Sequence, residues 1–167
     1  MPTLTDYWNF GTQRGEPLTS ATSTIRHGFE AASQSFKFGD IVIVSSGKIA
    51  IGAASGASIG ANAIVAGRAD MDATGTTNAD MYFAPANAVT TFLYPVYHAT
   101  PASAVTAYAQ IGVSYEMINH ATLGWAVDVG STTNVVCKVV DIDNSYPVGT
   151  AYGGLWIIFL AASRLHQ

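Results

Sequence analysis

The hydrophobic pattern is clearest in residues 36–51, where it predicts a β-hairpin. Residues 41–44 form an uninterrupted β-branched run, and a second apolar run occupies residues 48–51. Ser45, Ser46 and Gly47 separate the two runs, and a glycine at this place can adopt the positive φ that a tight hairpin turn requires. Because the first run has no polar alternation, we expect both of its faces to be covered, by a second sheet or by another subunit.

Further apolar runs predict strands along the rest of the chain, at residues 64–69, 81–83, 91–98, 111–117, 123–129, 134–142 and 153–162. Pro95 has no N–H for a sheet ladder, so its strand is expected at an edge or a bulge. Trp125, Val127 and Val129 alternate and are expected on one face. The turn at residues 130–133 predicts that the two strands flanking it pair. Short strands at close spacing, without a helical pattern, predict an all-β fold, a small β-barrel or sandwich.

The first 35 residues lack sustained periodicity, which predicts an extended N-terminal arm (1–35) preceding a β-barrel or sandwich domain (36–167). Tyr7, Trp8 and Phe10 cluster near the start of this arm. Aromatic side chains dominate binding hot spots. Two interpretations stay open: the three rings cover an edge of their own domain, or they anchor the arm in a neighbour. We therefore take Tyr7, Trp8 and Phe10 as candidate partner-binding residues.

Charge content narrows the possible partners. Charged residues make up 11% of the 167 residues, the hydrophobic fraction is 49% and the mean hydropathy is +0.27, whereas about a quarter of an average chain is charged. A protein surface with so few charged side chains favours burial against partner proteins. The net charge of −4 and seven Lys and Arg residues provide no basic stripe, so we expect no nucleic-acid binding. No apolar run reaches the roughly 18 residues that span a bilayer, so we expect no membrane association.

Residues with metal-binding chemistry are few and widely spaced. The four histidines show no zinc-ligand spacing. Asp70 with Asp72, and Asp141 with Asp143, offer oxygen atoms that suit calcium, but neither pair has the glycine and distal glutamate of a complete loop. Acidic residues at strand ends more often cap turns. Cys137 is the single cysteine, which excludes an intrachain disulfide and suits a small apolar position in a strand. We predict no metal and no cofactor.

One motif raises the possibility of hydrolysis. Residues 56–60 match the Gly-x-Ser-x-Gly nucleophile elbow around Ser58, and Asp128 or Asp141 followed by His166 would satisfy the hydrolase order. The elbow requires a core strand before the serine and a helix after it. Small residues crowd both sides of Ser58 instead. We therefore expect no enzyme, and keep an esterase-like hydrolase as the least favoured possibility.

The order of the glycine turns and apolar strands resembles that of a known family. The stretches concerned are residues 36–51 with 64–69, then 111–117, 136–141 and 155–160. They are similar, in this order, to tailed-phage capsid decoration (cement) proteins, over roughly residues 36–163. The resemblance implies a structural protein that binds the outer surface of an icosahedral phage head and stabilises it by bridging capsid subunits. It further implies the major capsid protein as partner, a homo-oligomer with a trimer favoured, and a place on the virion surface after assembly in the host cytoplasm.

A second class of function stays open. A β-sandwich carbohydrate- or receptor-binding module would carry an exposed aromatic platform, for which Trp125, Tyr94 and Tyr97 are the candidates.

Overall fold

The computed structural model describes residues 25–73 and 79–165, and its fold is all-β, as the sequence predicts. The ten strands of this part of the chain are β1 (Arg26–Phe29), β2 (Ile41–Ser45), β3 (Lys48–Ile51), β4 (Ile64–Ala69), β5 (Asp80–Pro85), β6 (Phe92–Tyr97), β7 (Ser114–His120), β8 (Gly124–Asp128), β9 (Cys137–Ile142) and β10 (Gly154–Phe159). Short 3-10 helices occupy Pro101–Ser103, Tyr108–Gln110 and Ala161–Ser163.

The first five strands form one sheet in the order β1-β5-β4-β2-β3. The predicted hairpin is confirmed, since β2 and β3 pair antiparallel from Ser45 opposite Lys48 to Val42 opposite Ile51. Ser46 and Gly47 connect them with φ angles of 50° and 74°. Two consecutive residues at positive φ are the signature of a type I′ turn, whose twist matches that of the flanking strands.

This sheet curls until its two outer strands approach each other. The Ala31 N–H donates a hydrogen bond of 2.8 Å to the Ile49 carbonyl, just beyond the end of β1. Gly28 permits the approach, because a Cβ atom there would lie 2.7 Å from Cγ1 of Ile49. Strand β1 falls inside the stretch predicted to be an extended arm. Residues 26–29 are therefore a strand of the sheet, and residues 1–24 lie outside the described part of the chain.

The last five strands form a closed barrel in the order β10-β6-β8-β7-β9. Strand β6 consequently has a neighbour on each side, so the edge position predicted from Pro95 is wrong. The Val96 N–H donates to the Gly153 carbonyl at 2.9 Å, so that the nitrogen of Pro95 points away from β10. The parallel pairing with β8 begins only at Val96. Pro95 therefore stands where β8 requires no donor.

A second prediction about pairing is also wrong. Strands β8 and β9 do not pair across the 130–133 turn, because β9 pairs with β7 and β10, and β7 lies between β8 and β9. The predicted face of β8 is confirmed: Trp125 and Val127 lie in the main core, and Val129 packs against it.

The core explains the uninterrupted apolar run of β2. Ile41 lies in the main hydrophobic cluster, which joins the sheet to the barrel, whereas Val42 belongs to a second cluster. Phe36 and Ala73, from segments outside the strands, complete that second cluster. Both residues of β2 are fully buried. The expectation that both faces are covered is thus confirmed for Ile41 and Val42, where the protein's own barrel and loops provide the cover, whereas Ile43 and Val44 are only half-buried.

Candidate functional site

The part of the sheet most available to a partner is the outer edge of β1. Strand β1 pairs with β5 along one side, and the Glu30 N–H donates to the Ala79 carbonyl on that side at 2.9 Å. Alternation along the strand directs the N–H and C=O groups of His27 and Phe29 to the opposite side. On that side β3 makes only the isolated parallel bridge between Glu30 and Ile49, which uses the backbone at the end of β1, so residues 26–28 have no described strand partner there. We call residues 26–29 the open edge.

A groove runs beside the open edge. Its volume is about 370 Å³. Five of the side chains that line it are apolar and come from different parts of the fold: Phe29, Val44, Ile49, Phe83 and Leu165. The groove exists because β1 and the β2-β3 hairpin meet at Ala31 and Ile49 and separate towards Arg26. Exposed backbone groups beside an apolar groove suit an extended segment that adds a strand.

Exposed apolar side chains concentrate around the same edge. Nine large hydrophobic side chains are exposed in the described residues, and four of them are Ile25, Phe29, Tyr82 and Leu165. Phe29 is 55% exposed. Tyr82 stands opposite His27 in the ladder, with ring centroids 6.2 Å apart. This concentration of uncovered apolar surface is typical of a site of protein contact.

Few charged side chains lie at the open edge, and they interact only weakly with one another. His27 Nδ1 lies 3.9 Å from the Asp80 carboxylate, and both side chains are more than half exposed. Arg26 contributes a further cation at the start of the strand. An exposed pair of this kind contributes little to stability, so the open edge offers mainly apolar side chains and backbone groups for contact.

Of the residues predicted to bind partners or ligands, three lie outside the described residues, two are buried and one lines a pocket. Tyr7, Trp8 and Phe10 lie outside the described residues. Tyr94 and Trp125 are 1% and 5% exposed, so the predicted aromatic platform is wrong for these two side chains. Both belong to the main core, because alternation on β6 and β8 turns them into the barrel. Tyr97 is half-buried and lines a separate pocket at one end of the barrel.

The Gly-x-Ser-x-Gly match does not form a nucleophile elbow. Ser58 lies in the loop between β3 and β4, where its backbone forms an isolated bridge with Ile118 of β7. The loop passes from residue 60 through a turn into β4, so that no helix follows the serine. His166 lies outside the described residues.

The acidic pairs act in turns. Asp72 Oδ1 accepts a hydrogen bond of 2.7 Å from the Phe38 N–H, and Asp143 Oδ1 accepts from the Ser145 N–H and hydroxyl at 3.1 and 2.9 Å. In residues 25–73 and 79–165 no three His, Cys, Asp or Glu side chains come together as metal ligands would.

Cys137 is a core residue, as predicted. Its thiol is fully buried at the start of β9 and donates to the Tyr115 carbonyl at 3.5 Å. Burial raises the pKa of the Cys137 thiol to about 12, which keeps it in the unreactive protonated form.

Sequence reasoning missed the open edge because it assigned residues 26–29 to the arm. A pattern was present: Ile25, His27 and Phe29 repeat with the period of two that characterises a strand. Gly28 and the four-residue length weakened that pattern, since glycine is depleted in strands.

No protein-family model matches the sequence, and no curated protein matches it significantly. None of the helices in the described residues has the length and apolar character needed to cross a membrane.

Proposed function

We propose that this chain is a capsid decoration protein, which binds the outer surface of an icosahedral tailed-phage head and stabilises it by bridging capsid subunits. The observation that carries this proposal is the open edge, where unpaired backbone groups adjoin exposed apolar side chains on a protein with few charges. The ordered turns and strands that resemble decoration proteins support it. The function is structural and involves no catalysis.

Binding in this proposal works through burial and strand addition. An extended segment of the major capsid protein pairs with the backbone of His27 and places apolar side chains in the groove between β1 and the β2-β3 hairpin. Because the protein binds the assembled shell and not its separated subunits, binding energy adds to the stability of the shell. Many copies on one head make individually modest contacts collectively strong.

The same proposal includes self-association on the virion surface. The resemblance to decoration proteins implies a small symmetric homo-oligomer, with a trimer favoured, and the low charge content of the chain is compatible with such subunit contacts.

Co-sedimentation with phage heads that lack the decoration protein tests the proposal. The variant Phe29→Asp places a carboxylate in the exposed centre of the surface, and we expect it to reduce head binding at least tenfold while the circular dichroism spectrum is unchanged. Tyr108→Asp is the matched control, since Tyr108 is 74% exposed on a 3-10 helix of the barrel half. Failure of the wild-type protein to sediment with any such head would contradict the function. Equal binding by both variants and the wild type would contradict the placement of the site.

A further inference from the structure

A second pocket lies at one end of the barrel, where β6 and β7 end. Its volume is about 260 Å³, and it shares no lining residue with the groove beside the open edge. Rings supply most of its wall: those of Tyr97, His98, His120 and Tyr152, together with Pro101. Pockets for drug-sized ligands measure about 300 Å³ or more. This pocket therefore suits a single small ring.

Both imidazoles are held in one tautomer by the backbone that follows them. The Thr100 N–H donates to Nδ1 of His98 at 2.9 Å. The N–H groups of Thr122 and Leu123 donate to Nδ1 of His120 at 3.3 and 3.2 Å. A nitrogen that accepts a hydrogen bond carries no proton, so each neutral ring is protonated at Nε2. The two turns thus select Nε2 as the N–H donor of each imidazole in its neutral form.

The aromatic wall is also fixed in place. The rings of His120 and Tyr97 pack with centroids 4.9 Å apart and an interplanar angle of 36°. Tyr152 has a φ of 55°, and its N–H donates to the Ala104 carbonyl at 2.7 Å. A bulky residue in the left-handed region costs free energy, and such residues cluster where a binding site must be shaped.

The turn at Asp128 and Gly130 supports the aromatic wall from outside the pocket. Asp128 is the neighbour of Tyr97 in the parallel β6-β8 ladder, and its Oδ1 accepts from the Gly130 N–H at 2.9 Å. His98 packs against the same turn: a Cβ atom on Gly130 would lie 3.0 Å from Nε2 of His98. The imidazole of His98 is thereby held against the Asp128–Gly130 turn, which fixes its place in the wall of the pocket.

Taken together, the groups around the pocket match the surface of a sugar. A pyranose ring presents apolar C–H faces, which stack on aromatic rings, and hydroxyl groups, which need both donors and acceptors. Rings line the wall, Nε2–H of His120 is a donor, and the hydroxyl groups of Tyr97 and Thr122, which also line the pocket, can donate and accept. Among the described lining residues there is no Lys or Arg, which disfavours phosphate ligands. We propose that this pocket binds one neutral pyranose unit of a polysaccharide, independently of capsid attachment.

Nuclear magnetic resonance titration tests this assignment. Methyl glycosides of glucose, galactose, mannose and N-acetylglucosamine are added to the ¹⁵N-labelled protein, with the histidine ring resonances as reporters. We expect both rings to show the Nε2–H tautomer. At least one glycoside should produce saturable shifts at millimolar concentration in the rings of His98 and His120.

Two variants and two competitor ligands sharpen the test. Tyr97→Leu removes the stacking face and should weaken binding at least fivefold, whereas Tyr108→Leu, outside the pocket, should bind like the wild type. If Tyr97→Leu does not fold, His120→Leu replaces it with the same expected loss. The proposal is overturned if no glycoside binds saturably, if the pocket variant binds as tightly as the wild type, or if acetate or methyl phosphate produces the same shifts as the glycosides.

Discussion

Gly67 is the residue at which the sheet leaves no room for a side chain. It lies on β4 next to a bulge, opposite Pro85 of β5. A Cβ atom at this position would lie 1.9 Å from the Ala84 carbonyl oxygen and 3.0 Å from Cα of Pro85. Both of these atoms belong to backbone and cannot rotate away. The glycine therefore allows β4 and β5 to pair closely in the middle of the sheet.

The variant Gly67→Ala should consequently destabilise the fold by about 3 kcal/mol, because overpacking against fixed atoms forces the strands apart. Urea unfolding followed by tryptophan fluorescence measures the change. Gly60→Ala is the matched control, because a Cβ atom there meets nothing within 4 Å, and it should unfold at nearly the wild-type midpoint. An unchanged midpoint for Gly67→Ala would show that β4 and β5 are not packed this closely.

The ionisation of the Asp128 carboxyl makes the free energy of unfolding depend on pH. Burial, and secondly the negative charge of Glu116 on the paired strand β7, raise the pKa of the Asp128 carboxyl above its usual 3.8, although the Gly130 N–H opposes this. The folded protein therefore holds its proton to higher pH than the unfolded chain does. The contribution of Asp128 to stability is therefore greatest below pH 3.8 and is lost as the pH rises through the folded-state pKa.

Asp128→Asn removes the charge and keeps an acceptor for the Gly130 N–H. At pH 7 we expect the variant to be more stable than the wild type by about 0.5 kcal/mol, the scale of a like-charge pair on facing strands. The advantage should shrink on acidification and vanish near pH 3, where the wild-type carboxyl is neutral in both states. Thermal unfolding across this pH range checks the trend, and an advantage that does not change with pH would contradict it.

At the scale of elements, the sequence predicts where the strands lie better than it predicts which strands pair. The β2-β3 hairpin is predictable because its turn chemistry and its apolar runs are local, and Ser46 and Gly47 adopt the positive φ that the turn requires. Strand β4 matches its predicted bounds for a similar reason. The pairing of β9 with β7 is not predictable in this way, because it depends on how the barrel closes and not on the turn beside it.

The candidate sites show the same difference between local features, which the sequence predicts, and long-range contacts, which it does not predict. The open edge was missed because a four-residue strand containing Gly28 has a weak local pattern. Composition gave no means of separating Tyr94 and Trp125, which face the core, from Tyr97, which faces outward, until the barrel fixed the inner face of β6. The pocket around His98 and His120 joins residues that are distant in sequence, so that only the closed barrel brings them together.

At the scale of the whole molecule, a curled sheet and a closed barrel share one core, and the two candidate surfaces lie on different halves. The open edge belongs to the sheet, and the sugar pocket belongs to the barrel. Phe29→Asp and Tyr97→Leu should therefore act independently, each changing one binding activity and leaving the other intact.

The predicted arm provides the last test. Deleting residues 1–24 spares every described strand, since β1 begins at Arg26, so we expect the truncated protein to keep the wild-type circular dichroism spectrum and unfolding midpoint. Tyr7, Trp8 and Phe10 are lost with the deletion. If they anchor the protein in a neighbour, binding to phage heads should fall at least tenfold, because buried aromatic side chains dominate the energy of interfaces.

A shorter deletion, of residues 1–5, keeps the three aromatic side chains and is the matched control, which should bind heads like the full chain. The two open interpretations give opposite results. A truncated protein that unfolds at lower urea concentration would mean that the rings cover their own domain, because lost burial costs about 25 cal/mol per Å² of apolar area. Full-strength binding by a stable truncated protein would instead assign attachment to the open edge alone.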